Sequence, residues 1–234
     1  NRKAQPVPFG RSGVVALIHP LKDMGEISGG NPFPVISHYD FCLLLCFGYG
    51  QGHLPCIAVD NYHGAKCAAE HLIQKGHRRI ALLEGRFSPQ IYHDRHNGYM
   101  DAIVSAGLTV DPLLIRDVDA NELCAETCAR EMLSCPERPT ALLCTNDTIA
   151  VGAMKAAMRM GLRIPEDVSI VGYNDIAVAN YLVPPLTTVR LHMELLGEEA
   201  VRLLRERITS SREIGLKVIV PAKLIVRGSA DRVK

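Results

Sequence analysis

Cysteine and histidine are the residues of this chain whose chemistry is easiest to recognise from their spacing. The eight cysteines mostly lie in apolar or helix-like stretches, at Cys42, Cys46, Cys56, Cys67, Cys124, Cys128, Cys135 and Cys144. Zinc sites favour C-x2-C pairs, which are absent, and the H-x2-H pair of His93 and His96 has no further ligand pattern. We therefore predict no metal site, cysteines that are small buried residues or free thiols, and solvated surface histidines.

Motifs of enzymes that bind phosphate or carry a nucleophile are also missing from the sequence. It contains no G-x-G-x-x-G, no phosphate-binding loop and no G-x-S-x-G. We therefore predict that the protein is not an enzyme and needs no cofactor.

Polar residues that follow predicted strands form a second group of candidates. Asn146 and Asp147 end one strand and begin a helix, where Asn and Asp are good capping residues, and Asn174 follows another strand. Arg95 is placed near the first turn of a predicted helix, where a cation is unfavourable. Loops at the carboxyl ends of parallel strands are where ligands bind in open α/β sheets.

The elements that would position these residues alternate between short apolar runs and helical periods. Strands are predicted at 56–59, 79–84, 113–115, 140–144 and 168–172. Helices are predicted at 63–75, around 99–106 and at 147–160. A repeat of about 25 to 30 residues is typical of β-α units on a parallel sheet, which predicts an α/β fold.

The two ends of the chain depart from this repeat. Residues 184–189 predict an extended crossover, residues 195–207 an amphipathic helix, and residues 217–227 either a strand pair or one strand kinked at Pro221. In the first 55 residues the pattern predicts a strand at 14–18 but too few helices for a complete doubly wound subdomain.

Composition limits the classes of partner. The 234 residues are 47% hydrophobic and 22% charged, with a net charge of +1. This is typical of a globular protein and provides no basic field for holding DNA. No apolar run approaches the roughly 20 residues of a membrane span, and residues 1–9 lack the apolar core of a signal peptide. We therefore expect a cytoplasmic protein with no membrane contact.

Several motifs occur together in a specific order. They are VDN at 59–61, GHRRIA at 76–81, PTALLCTND at 139–147, IPEDVSIVGYND at 164–175 and PPLTTV at 184–189. Over about residues 56–228 the chain resembles the effector-binding core of the lactose repressor and galactose repressor family of bacterial transcription regulators, whose fold is similar to that of periplasmic sugar-binding proteins.

The resemblance implies a two-lobed, periplasmic-binding-protein-like (type I) fold, in which each lobe is a parallel sheet flanked by helices. It implies an N-terminal lobe made of residues 1–56 and 189–213, which we expect to be incomplete. The C-terminal lobe would comprise residues 57–188 and 214–234. The family reads DNA with an N-terminal helix-turn-helix head. We expect none within this chain, because residues 1–11 are too short and too rich in proline to form one.

Site residues follow from the resemblance position by position. Arg95, in the motif R-x-x-G-Y, matches an arginine that holds effector hydroxyls or a carboxylate, and Asn146 matches a polar contact. Asn174 stands where sugar-responsive members often have aspartate, which implies a different hydroxyl pattern. Ile91 stands where a hydroxyl is common. Met193 and Leu196 match residues that line the pocket from the other lobe, although core residues would give the same pattern.

The predicted function is the effector-sensing core of a transcription regulator, most simply a repressor. A small metabolite, with sugars or sugar derivatives as the preferred class, would bind between the lobes and alter DNA binding by a homodimer through a head that is not in this chain. Residues 180–183 match a dimer interface. The alternative is a periplasmic sugar-binding protein of a transport system.

Overall fold

The computed structural model describes residues 55–85, 89–209 and 214–232. The strand predicted at 14–18, Cys42 and Cys46 lie outside these residues. The α/β prediction is confirmed. The eight described strands are β1 (Cys56–Val59), β2 (Ile80–Gly85), β3 (Ile115–Val118), β4 (Ala141–Cys144), β5 (Ser169–Asn174), β6 (Thr187–Arg190), β7 (Lys217–Val220) and β8 (Lys223–Ile225). The five described helices are α1 (Asn61–Gln74), α2 (Pro89–Ser105), α3 (Glu122–Leu133), α4 (Asp147–Arg159) and α5 (Met193–Thr209).

Six strands form one sheet in the order β3-β2-β4-β5-β6-β8, which is parallel except for the pairing of β8 with β6. Alternate residues of each strand face opposite layers. In β2, Ile80 and Leu82 pack with α1 and α2, whereas Ala81 and Leu83 pack with α3 and α4. The sheet is therefore buried on both faces, which explains its nearly continuous apolar strands.

The helix that carries Arg95 lies unusually close to its neighbour. A Cβ atom at Gly98 of α2 would lie 2.2 Å from the backbone oxygen of Tyr62 in α1. Glycine at this position therefore permits the close crossing of the two helices. The crossing fixes the position of α2, and with it Arg95 one turn earlier.

Capping groups explain where several boundaries differ from the predictions. The Asp60 side chain accepts a hydrogen bond from the backbone N–H of His63 at 3.0 Å, so α1 begins before residue 63. The strand predicted at 113–115 begins only at Ile115, because Pro112–Leu114 forms a 3-10 turn capped by Asp111. Helix α3, which the sequence analysis did not predict, is capped by Asn121.

The region around Pro221 forms two strands in two different sheets. β7 pairs in parallel with β1, and β8 joins the large sheet beside β6. β1, β7 and α5 share an apolar cluster of Ile57, Leu196, Leu203 and Val220. The expected lobe boundary between residues 56 and 57 thus falls within β1, and the boundary at 213/214 separates β7 from α5. The predicted division into lobes stays a prediction.

Residues 184–189 are only partly a crossover. Pro184 and Pro185 precede the sheet, but residues 187–190 form strand β6 between β5 and β8, with Val189 fully buried. The chain leaves the sheet after Arg190. Among the described cysteines none forms a disulfide, and only Cys56 and Cys144 are buried. His93 is exposed, but His96 Nδ1 lies 2.6 Å from Oε1 of the buried Glu84, so His96 is not simply solvated.

Candidate functional site

The strand order of the large sheet reverses between β2 and β4, since β3 lies on one side of β2 and the later strands on the other. The carboxyl ends of strands at such a switch point create a crevice for ligands. Thr145, directly after β4, connects the two strands at this switch point. Its Oγ1 accepts a hydrogen bond from the backbone N–H of Gly85, at the end of β2, at 2.8 Å.

Arg95 extends from α2 into this switch point and is 4% exposed. Its Nε donates a hydrogen bond to Asn61 Oδ1 at 2.9 Å, Nη1 donates to the backbone oxygen of Thr145, and Nη2 donates to Asn174 Oδ1 at 3.4 Å. The guanidinium carbon lies 3.7 Å from the ring centroid of Tyr173, within the range of a cation–π contact. We call Asn61, Arg95, Thr145, Tyr173 and Asn174 the arginine cluster.

Arg95 lies in the second turn of α2, and the other members of the arginine cluster lie near the carboxyl ends of strands. Asn61 follows β1, Thr145 follows β4, and Tyr173 and Asn174 close β5. Tyr173 is buried and its hydroxyl donates to the backbone oxygen of Asn61 at 3.3 Å. Burial raises the pKa of Tyr173 to about 12, partly offset by the Arg95 charge. The phenol is therefore a neutral donor at physiological pH.

Asn61, Thr145 and Tyr173 were not among the predicted site residues. The signal that would have identified them is positional, since each lies at the carboxyl end of a strand or within two residues after it. All three also belong to the motifs that carry the family resemblance.

Asn146 is buried and directly follows Thr145 of the arginine cluster, but its side chain makes a different contact. Its Oδ1 accepts the backbone N–H of Ile149 at 2.8 Å, which caps α4. Capping accounts for its side-chain oxygen, and its amide nitrogen is a separate group that donates hydrogen bonds. A ligand contact by Asn146 stays a prediction.

Three of the residues predicted at the site, Ile91, Met193 and Leu196, are apolar and are buried or partly buried in the described structure. Ile91 is buried on α2, one turn before Arg95. Leu196 packs in the apolar cluster of β1, β7 and α5, and Met193 packs against both that cluster and the α1–α2 side of the sheet. Their predicted roles as pocket residues remain predictions.

Asp147 supports the end of β5 from the interior. Its Oδ1 accepts the Thr188 hydroxyl at 2.6 Å and its Oδ2 accepts the backbone N–H of Ile176 at 2.8 Å. A Cβ atom at Gly172 would lie 2.1 Å from this Oδ1, so glycine leaves room for the carboxyl. Burial raises the pKa of Asp147 to about 6, although both hydrogen bonds lower it, and the nearby Asp175 charge adds to the rise.

This raised pKa predicts a pH-dependent contribution to stability. Since the folded-state pKa of about 6 exceeds the reference value of 3.8, Asp147 favours folding fully below about pH 4, and the contribution is lost as pH rises through 6. We expect the unfolding free energy of the wild type, relative to Asp147→Asn, to fall by about 2 kcal/mol between pH 4 and pH 7. Urea unfolding of both proteins measures it. A difference that does not change with pH would contradict the prediction.

Two features are not found in the described part of the chain. Within residues 55–85, 89–209 and 214–232, no helix is long and apolar enough to cross a membrane. The same residues include no group of three or more His, Cys, Asp or Glu side chains placed to hold a metal ion.

Comparison with known proteins gives consistent matches. A family model described as periplasmic binding protein-like domain matches residues 69–230. The HTH-type transcriptional repressor PurR of Erwinia tasmaniensis is 35% identical over 188 residues, which are 80% of this chain and 55% of that protein. The HTH-type transcriptional repressor CytR of Escherichia coli K12 is 34% identical over 176 residues, 75% of this chain and 52% of that protein.

Solved structures agree. A transcriptional regulator CelR–cellobiose complex has a TM-score of 0.72 at 32% identity, covering 78% of this chain and 56% of that one. A LacI family regulator from Enterococcus faecium with bound ribose has a TM-score of 0.73 at 27% identity, covering 79% and 68%. The chain spans about half the length of the curated relatives it matches.

The matched domain covers more than half of the chain, the relatives and structures named above are transcriptional repressors or regulators, and one of the structures is a LacI family regulator. Sheet order, the buried arginine at the switch point and the ordered motifs are consistent with the match. The chain therefore belongs to the lactose repressor and galactose repressor (LacI) family, of which it carries the periplasmic-binding-protein-like effector-binding core.

Proposed function

We propose that this chain is the effector-sensing core of a DNA-binding transcription repressor, and that the arginine cluster binds the effector. The observation that carries the proposal is the buried Arg95 at the switch point, held by Asn61, Thr145 and Asn174. Structures of the chain's relatives contain cellobiose and ribose, which supports sugars or sugar derivatives as the effector class.

The chemistry of the cluster suits hydroxyl-rich ligands. A guanidinium provides five N–H donors in a rigid fork, and the amides of Asn61 and Asn174 can both donate and accept. A sugar hydroxyl is both a donor and an acceptor, so it can take the place of one protein group in any of the hydrogen bonds within the arginine cluster. Asn174 in place of a carboxylate favours ligands that also offer an acceptor at that point. Met193, Leu196 and Ile91 would supply apolar contacts around this polar group.

The partners of the whole protein are part of the same proposal. Binding to DNA would use a helix-turn-helix head outside this chain, in the cytoplasm where a repressor meets DNA. The relatives named above are repressors and regulators, which favours this function over a periplasmic sugar-binding protein of a transport system and over an enzyme. We further propose that β1, α5 and β7 belong to the N-terminal lobe and the six-stranded sheet to the C-terminal lobe, a division supported by the separate apolar cluster of Ile57, Leu196, Leu203 and Val220.

Homodimer formation is supported by an apolar patch on the surface of the six-stranded unit. The patch consists of Met158, Tyr181, Leu182 and Val183, with Lys155 and Arg159 at its rim. Tyr181 and Val183 are 79% and 82% exposed, which is unusual for adjacent large side chains in a monomer. A second copy of this chain, related by two-fold symmetry, would cover the patch with the same residues.

The effector proposal is tested by thermal denaturation with a panel of sugars and nucleosides that includes ribose and cellobiose. A ligand that binds only the folded state stabilises it by about 2.7 kcal/mol at 100 times its Kd. We expect at least one panel member to raise the Tm of the wild type by several degrees. Failure of every member to shift the Tm would contradict the proposed effector class.

A further inference from the structure

Asp175 follows directly after the arginine cluster and joins it to two other parts of the chain. Its side chain is 7% exposed, and both carboxylate oxygens are paired. Oδ2 accepts from Arg190 Nε at 2.6 Å, and Oδ1 accepts from Arg227 Nη2 at 2.7 Å. A buried carboxylate bonded to two guanidinium groups is held firmly, because each bond is charge-assisted.

Arg190 lies where the chain leaves the six-stranded sheet, and Arg227 lies just beyond the strand by which the chain returns to it. Arg190 is the last residue of β6, after which the chain runs through residues 191–192 into α5. Arg227 follows β8, the strand by which the chain returns from β7, and its Nη1 also donates to the backbone oxygen of Leu186 at 2.7 Å. Both α5 and β7 pack in the separate apolar cluster with β1.

The backbone at Asn174 and Asp175 joins the arginine cluster directly to the carboxylate. Asn174 and Asp175 have φ values of 110° and 56°, a region that few non-glycine residues adopt and that Asn and Asp tolerate best. Asn174 Oδ1 is joined to Arg95 Nη2 by a long hydrogen bond of 3.4 Å. A ligand that takes this donor would release the side chain of Asn174, the residue directly before Asp175.

We infer that Asp175 is a positioning residue that couples occupancy of the arginine cluster to the segments linking the six-stranded sheet with α5 and β7, through Arg190 and Arg227. The inference rests on the proposed function, because it takes the arginine cluster as the effector site. One carboxylate then connects ligand binding to the segments that join the two units. The equilibrium between two arrangements of these segments shifts only to the extent that the ligand binds one arrangement more tightly than the other.

The test compares wild type with Asp175→Asn by hydrogen exchange and mass spectrometry, with and without the panel sugar that binds best. Asparagine tolerates positive φ, so the substitution removes the charge without forcing a new backbone. In the wild type, we expect ligand to change exchange at least threefold in peptides covering residues 189–196 and 222–228. In Asp175→Asn this response disappears while the sugar's Kd stays within about fivefold.

Asp167→Asn is the matched control. Asp167 also pairs both oxygens with an arginine, Arg163, at 2.8 Å each, but it lies before β5, at the opposite end of the strand from Asn174. The control is expected to retain the ligand response. An undiminished response in Asp175→Asn would overturn the inference. Should Asp175→Asn fail to fold, Arg190→Gln, at a half-exposed position, is expected to lose the response in residues 189–196 alone, and retention there would equally overturn it.

The ligand-free samples separate this inference from the proposed function. If no panel sugar binds the wild type, the proposed effector class fails, but Asp175→Asn must still raise exchange in both peptides at least threefold above Asp167→Asn. An increase in neither or only one of them would show that Asp175 does not hold the two segments together.

Discussion

Arg95→Lys is expected to weaken binding of the best panel sugar by about 100-fold. Lysine keeps the charge but replaces the planar fork by one compact ammonium, which cannot meet Asn61, Thr145 and Asn174 together or stack on Tyr173. Each lost charge-assisted bond is worth about 1.5 to 3 kcal/mol, and 1.4 kcal/mol is tenfold in affinity. Calorimetric titration measures the Kd.

The same change tests whether Arg95 also supports the fold. The sequence alone leads to the expectation that Arg95→Ala abolishes binding with the fold intact, but the structure shows that alanine would leave buried acceptors at Asn61 and Thr145 without their donor. We expect about 2 kcal/mol of lost stability even for lysine. Arg163→Lys, in a surface ion pair, is the control and should leave the Kd unchanged. An unaltered Kd in Arg95→Lys would remove Arg95 from the site.

Val183→Glu is expected to convert a dimer into a monomer at micromolar concentration. The patch would be buried twice in a symmetric dimer, so each interface receives two additional carboxylates. Lys155 and Arg159 at the rim already pair with Glu126, and burying an unpaired charge costs several kcal/mol. Because Val183 is 82% exposed in the single chain, the monomer fold should be unaffected. Sedimentation velocity and urea unfolding measure the two properties.

Val104→Glu is the matched control for this prediction. Val104 is an exposed valine on α2, away from the apolar patch, where glutamate is a good helix former. The control should remain dimeric. A Val183→Glu protein that sediments as a dimer would show that another surface holds the two copies together, and a monomeric wild type would contradict the dimer proposal itself.

Helix stripes and strand runs in the sequence were sufficient for the fold class. The boundaries that were misplaced depend on single side-chain contacts, such as the Asp111 cap that turns Pro112–Leu114 into a 3-10 turn. The residues around Pro221 show a larger limit of prediction from the sequence. An apolar run predicts a strand, but whether its two halves pair with β6 or with β1 depends on strands distant in the sequence.

The candidate site shows the same division. Arg95 and Asn174 could be named from the sequence because they lie in motifs with fixed spacing. Asn61 and Tyr173 also lie in motifs of the resemblance but were not assigned to the site. Their contacts join residues 34 and more positions apart along the chain. Leu196 illustrates the opposite case, since an apolar residue on a helix face has the same pattern in a core as in a pocket.

By itself the sequence determined the α/β class, the family resemblance, and the presence of an arginine and asparagines at strand ends and helix starts, because these follow from local periodicity and ordered motifs. Only the tertiary structure decided which strands are neighbours, that Arg95 is buried at the switch point, and that Asp175 joins Arg190 to Arg227. The physical reason is that local sequence specifies elements and their ends, whereas burial and pairing depend on the packing of distant segments around a common core.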